Sequence, residues 1–187
     1  MSEPMNPKAT TDSTYVLDAE SEVELSRLLL QDRLLTEDMG GAWPEQGDVA
    51  AIQYVLDLAC GPGGWVLDVA TVHPEKDVMG IDVSQTMIRY AKAQAHIHGL
   101  KNADFAVMDI NQPLAIPDES FDLVNARYLV GVLRREKWPA FIQECWRLLR
   151  PGGILRLTEP ELPITNSVAC DQLNQKITMA MQRGGYG

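Results

Sequence analysis

Residues 54–66 read YVLDLACGPGGWV. An apolar run, Ile52–Leu58, meets a glycine turn at Gly61-Pro62-Gly63-Gly64, and apolar residues then resume over Trp65–Val72, closed by Pro74. The run reads as a strand and the resumption as a short helix. Glycine at such a junction takes positive φ without strain and puts no Cβ in the way of a ligand. Alone, the motif also fits a tight turn that binds nothing. Its meaning rests on what stands at the ends of the other strands.

The same unit recurs downstream. Val78–Val83 reads as a second strand, and Ser84 caps a helix to His98 with Gly99 as its stop. Phe105–Ile110 is a third strand and Phe121–Ala126 a fourth. Pro139 opens a helix to Leu149, Pro151-Gly152-Gly153 breaks the chain, and Ile154–Thr158 is a fifth strand. Strands alternating with helices predict an α/β fold: a doubly wound, mainly parallel sheet with right-handed crossovers. Upstream, Ser21-x-x-Glu24 is a capping box for a helix over about 21–38, ended at Met39-Gly40-Gly41.

Ligands of such sheets sit outside the carboxyl ends of the strands. Asp57, Ala59, Gly61 and Gly63 follow strand 1. Asp82 ends strand 2, 19 residues beyond Gly63, a spacing that suits an acceptor for two ribose hydroxyls. Ser84 is the better helix cap, which leaves Asp82 for a ligand. Asp109, flanked by Met108 and Ile110, follows strand 3 and can accept from an adenine amino group while its neighbours sandwich the ring. Asn125-Ala126-Arg127-Tyr128 follow strand 4.

A dinucleotide site expects a third glycine where Val66 stands, and Asp57 would repel a pyrophosphate. S-adenosylmethionine carries an ammonium, a sulfonium, a ribose and an adenine, and the acids Asp57, Asp82 and Asp109 match that charge pattern. An NAD-dependent oxidoreductase is the weaker alternative.

The stretch Asp57–Gly63 resembles the first motif of the class I S-adenosylmethionine-dependent methyltransferases. Gly80–Ser84 with Met87 resembles their second, Met108-Asp109-Ile110 their third, Phe121–Val124 their fourth strand and Leu149–Gly153 the turn before their fifth. The match covers about residues 50–160 and is similar to the small-molecule, ubiquinone/menaquinone-biosynthesis branch. The resemblance implies a Rossmann-like sheet of order 3-2-1-4-5 and transfer of a methyl group to a small molecule, leaving S-adenosylhomocysteine. It implies that the loop Asp57, Ala59, Gly61, Pro62 and Gly63 holds the methionine part and Asp82 the ribose. Val83 and Met87 would lie against the adenine, Asp109 at its amino group with Met108 and Ile110 beside the ring, and Asn125 and Ala126 near the sulfonium. Tyr15 and the first helix would form a lid. Acceptor contacts fall on Arg127, Tyr128 and Glu159. No catalytic base stands out, and no metal is expected.

The family's sheet has two further strands, and no credible strand 6 or 7 follows Thr158. Glu159-Pro160-Glu161-Leu162-Pro163 leads to a helix near Ser167–Gln182. The chain would then be a fragment, an edge covered by its last helix, or a homo-oligomer pairing at strand 5. A fragment lacking the acceptor pocket would bind cofactor with little turnover. The expected organisation is a tail over 1–14, a helical lid over 15–45, the cofactor domain over 46–160 and a helical segment over 161–187.

Composition narrows the partners. With 16 Lys+Arg against 26 Asp+Glu, the net charge of −10 disfavours a phosphate backbone, and no basic patch offsets it. The three cysteines show no CxxC spacing, the polar N-terminus has no apolar segment of a secretory signal, and no run approaches the ~20 apolar residues of a membrane span. These features predict a cytoplasmic protein with reduced cysteines and no membrane or nucleic-acid partner.

Overall fold

The computed structural model describes residues 21–43, 45, 49–162 and 166–186. Helix α1 (Glu22–Asp38) starts at Ser21, whose hydroxyl accepts from Glu24 N at 3.1 Å, as the capping box requires. Then follow β1 (Tyr54–Leu58), α2 (Gly64–Val72), β2 (Asp77–Asp82), α3 (Gln85–Ile97), β3 (Ala103–Val107), β4 (Phe121–Arg127), α4 (Trp138–Leu148), β5 (Leu149–Thr158) and α5 (Val168–Arg183). All strand pairs are parallel and the order is β3-β2-β1-β4-β5. That is the Rossmann-like arrangement of class I methyltransferases.

Each element forms for a local reason. Val55, Leu56 and Leu58 of β1 are sealed from solvent, since a central parallel strand is covered on both faces and reads as a continuous apolar run. Ser84 caps α3 by accepting from Met87 N at 3.2 Å, and Gly99 follows its end at φ 67°. One face of the sheet packs on α2 and α3 through Val66, Val69, Ile88, Ala91 and Phe105. The other packs on α4 through Phe141, Cys145 and Leu148. Trp65 is 1% exposed, and its indole N–H donates to Ala42 O at 2.7 Å, tying the loop after α1 to α2.

Two boundaries differ from expectation. Pro151-Gly152-Gly153 does not break the chain; it lies within β5. Leu149 pairs with Phe121 and Ile154 with Leu123, so the intervening residues loop out as a bulge, with Gly152 at φ 81°. Arg150 anchors it by donating to Asp122 at 3.0 Å and stacking 4.2 Å from the Tyr54 ring. β3 begins and ends earlier than the apolar run suggested, so Asp109 lies in the loop beyond it.

Among the described residues no strand follows β5, which pairs with β4 alone. The last helix does not seal that edge: none of the residues of α5 is buried, and Val168 and Leu173 stand open to solvent.

Lys76 is 1% exposed, and its ammonium donates to Val49 O at 2.6 Å and Ile52 O at 2.7 Å. It thereby fixes the entry to β1. Lys76→Met leaves both carbonyls without this donor and should lower unfolding free energy by roughly 2–4 kcal/mol in urea titration.

Candidate functional site

The ends of β1 and β4, the glycine loop and the middle of α1 enclose a cavity of about 290 Å³. Its walls include Asp57, Ala59, Cys60, Gly61 and Pro62 from the loop, Arg127 and Tyr128 from the end of β4, and Leu28, Asp32 and Leu35 from α1. The loop is wound tightly: Ala59, Gly61 and Gly63 have φ of 55°, 54° and 80°. For Ala59 this left-handed backbone is costly and is held by its surroundings. Gly63 does not face the cavity. A Cβ there would meet Phe105 at 2.6 Å and Ala91 at 2.8 Å, so this glycine lets the loop pack on α3 and β3.

Asp57 is 3% exposed at the cavity floor. Strand register sets its partners. Asp57 lies beside Asn125, and Asn125 beside Arg156, across three adjacent strands. Asn125 Nδ2 donates to Asp57 Oδ1 at 2.7 Å, and Arg156 Nη1 donates to Asn125 Oδ1 at 2.8 Å. Arg156 in turn pairs with Glu45. Burial pushes the Asp57 carboxyl up to about 7, against the opposing pull of Arg127 and of the Asn125 hydrogen bond. The same burial, with Asp57 and Asp82 nearby, drives the Cys60 thiol up and keeps it neutral.

Asp82 carries structural duty as well, which the sequence reading did not foresee. Its Oδ2 accepts from Gly61 N and its Oδ1 from Ser84 N, both at 2.9 Å, so it braces the glycine loop against the head of α3. Ser84 is the cap, as expected. A carboxylate offers about four acceptor positions, so bracing and ligand contact are compatible. Asp109 Oδ1 accepts from the backbone and side chain of Asn111 at 2.9 and 3.1 Å. Val83 is exposed at the end of β2, Met87 is buried in α3, and Met108 and Ile110 are half-buried after β3. These positions lie outside the walls of the cavity. Asn125 and Ala126 are fully buried: the Asn125 side chain is engaged between Asp57 and Arg156, and Ala126 packs with Leu56 and Val124.

Of the acceptor candidates, Arg127 and Tyr128 line the cavity and Glu159 does not. Glu159 accepts from Leu129 N and Val130 N, both at 2.9 Å, and so closes the turn after β4. Tyr15 lies outside the described residues. Three contributors went unread in the sequence: Asp32 and Thr36 of α1, which bind Arg127, and Arg156 of β5. Asp32 and Arg156 leave no local signal, because each works through a partner far away in the chain.

The donor set suits a ligand with a cationic end. A buried acid at the floor, a loop without side chains at its glycines and a second acid at the next strand end can hold an ammonium and a polyol. They do not suit a pyrophosphate.

Comparison with known proteins agrees. A family described as a methyltransferase domain matches residues 55–153, just over half of the chain, and the chain belongs to that family. With its sheet order this makes it a class I methyltransferase domain whose cofactor is S-adenosylmethionine. A demethylmenaquinone methyltransferase of Lactococcus lactis subsp. lactis is 34% identical over 124 residues, 63% of this chain and 47% of that protein. The solved [4+2]-cyclase SpnF is 25% identical with a TM-score of 0.55, covering 86% of this chain and 55% of that one. A phosphoethanolamine N-methyltransferase 2 of Haemonchus contortus, in complex with S-adenosyl-L-methionine, shares the fold with a TM-score of 0.56 at 22% identity, over 74% of this chain and 34% of that one. The chain spans less than half the length of the curated relatives it matches.

The raised Asp57 carboxyl has a consequence for stability. The folded protein holds this proton up to about pH 7, whereas the unfolded chain releases it near pH 4, so ionising Asp57 costs stability as pH rises between the two. Asp57→Asn should therefore gain on the native protein between pH 5 and pH 8, by a few kcal/mol, in paired urea titrations. A difference that stays flat with pH would show that Asp57 titrates normally.

Proposed function

We propose that this chain transfers a methyl group from S-adenosylmethionine to a small-molecule acceptor. The observation that carries the proposal is the buried Asp57 at the floor of a cavity walled by the glycine loop, with Asp82 bracing that loop from the next strand. When bound, the cofactor supplies a methyl on a positive sulfur, already activated toward attack by an acceptor lone pair. The residues bind and align. Asp57 and the backbone of Ala59 and Gly61 take the amino-acid end, and Asp82 takes the ribose hydroxyls. Val83, Met87, Met108 and Ile110 flank the adenine, with Asp109 at its amino group. Helix α1 shields the cavity from water, as a lid. Holding two reactants in line can contribute roughly 7–11 kcal/mol.

Among the described residues the cavity walls hold no histidine. Glu159 is committed to the Leu129 and Val130 amides, so the chain is read as positioning the acceptor rather than deprotonating it. Tyr128, Val130 and Gly131 form the wall toward which the acceptor would be set.

A second reading is favoured by one finding: a protein that shares this fold is described as a [4+2]-cyclase, so the cofactor fold alone does not dictate methyl transfer. A cofactor-binding form with little turnover is the corresponding alternative here. Release of S-adenosylhomocysteine on presentation of a panel of small-molecule phenols, quinols and amines supports the enzyme; binding without release supports the alternative.

The wider setting follows the same reading. The lid, cofactor domain and C-terminal segment divide near residues 45 and 160. The three cysteines are free and suit a reducing cytoplasm, and among the described residues no helix is long and apolar enough to cross a membrane. The open edge of β5 would pair with a second copy. Light scattering at micromolar concentration should then give a dimer mass, and a monomer would count against it.

Calorimetry tests the site. S-adenosylhomocysteine should bind and NAD should not. Affinity should rise about tenfold per pH unit from pH 5 to about 7 and then level, because the ligand ammonium needs Asp57 ionised. Asp82→Asn should weaken binding roughly 10- to 100-fold, the worth of a charged hydrogen-bond acceptor. Full affinity in that variant would remove Asp82 from the ribose site.

A further inference from the structure

Arg127 and Asp32 form an ion pair across the cavity, and neither partner is much exposed: their side chains are 13% and 16% accessible. Arg127 also donates to Thr36 at 3.2 Å, so its guanidinium is held by two positions one turn apart on α1. Asp32 is wedged against the head of α2. A Cβ built on Gly64 would stand 1.8 Å from its Oδ2, so only glycine lets this carboxylate in. The carboxylate thus sits between the glycine loop and Arg127, in the cavity that has Asp57 at its floor.

The amino-acid end of the cofactor carries two charges on one carbon. An acid that takes its ammonium calls for a cation a few ångströms away to take its carboxylate. Arg127 is that cation: it shares the cavity with Asp57 and is close enough to pull on its titration. A planar guanidinium is also the side chain best suited to grip a carboxylate.

We propose that Arg127 anchors the α-carboxylate of the cofactor's amino-acid end, and that Asp32 of α1 stands in for that carboxylate in the unliganded protein. This rests on the cofactor reading above and moves Arg127 from acceptor contact to cofactor contact. Ligand entry exchanges one carboxylate for another on Arg127. No net ion pair is lost, but Asp32 is released, and with it the ion pair that ties α1 to the end of β4. Cofactor binding is thereby coupled to the position of the lid.

The test is calorimetry on the full chain with S-adenosylhomocysteine, its decarboxylated analogue that keeps the amine, and 5′-methylthioadenosine, which has neither charge. The native protein should prefer S-adenosylhomocysteine over the decarboxylated analogue by about tenfold or more. Arg127→Gln should erase that preference while leaving the decarboxylated analogue within about twofold, and Arg127→Lys should keep part of it. Asp32→Asn should tighten S-adenosylhomocysteine severalfold and leave 5′-methylthioadenosine unchanged. Three results overturn the proposal alone: an equal loss for all ligands in Arg127→Gln, loss of the preference in Arg27→Gln instead, or weaker S-adenosylhomocysteine binding in Asp32→Asn, which would make Asp32 a second acid for the ammonium. If none of the three ligands binds the native protein, the cofactor reading falls and this proposal with it.

Discussion

A carboxylate sealed at the end of the central strand is the constraint on which the rest of the site depends. Asp57 has almost no contact with solvent, and its neighbours supply only partial compensation: one short hydrogen bond from Asn125 and the more distant charges of Arg127 and Arg156. Burying an acid this way is expensive, and acids so perturbed cluster at functional sites; the cationic end of the proposed cofactor would complete the balance. The parallel register makes the arrangement possible. It sets Asp57, Asn125 and Arg156 side by side on three strands, so one row of the sheet becomes a polar relay running through an apolar core.

The glycine loop follows from the same need. The backbone must turn tightly at the mouth of β1, and its glycines make room for the side chains packed around the turn. Gly63 makes room for Phe105 and Ala91, Gly64 for Asp32, and Gly80 on the next strand for Cys60 and Phe105. Asp82 then binds the turned loop through Gly61 N. A residue that reads as a ligand contact is also a structural brace, and the two roles reinforce each other: the loop is preorganised by the acid that the ribose would share.

Much of this was legible in the chain. The alternation of apolar runs with capped helices set the layers, and the caps at Ser21 and Ser84 fell where their side chains could reach the third amide on. What misled was punctuation. Pro151-Gly152-Gly153 looks like a break because its residues disfavour regular strand, yet an edge strand tolerates a proline and a bulge, and Arg150 holds the bulge to Asp122. Asp109 looked like the end of a strand because apolar residues run on to Ile110; the ladder with β2 stops at Val107.

The sequence by itself determined the α/β class, the glycine loop and the acids at its strand ends, because those depend on periodicity and on spacing within one strand–turn–helix unit. Only the tertiary structure decided what the acids face. Asp32 meets Arg127 across 95 positions, Arg156 meets Glu45 across 111, and Glu159 closes a turn 30 residues earlier. Such pairs obey strand order and register, which bring together side chains that no local pattern links. The charge of Asp57 belongs to this second group: its place is written in a motif, but its proton is governed by burial, and burial exists only once the sheet has closed around it.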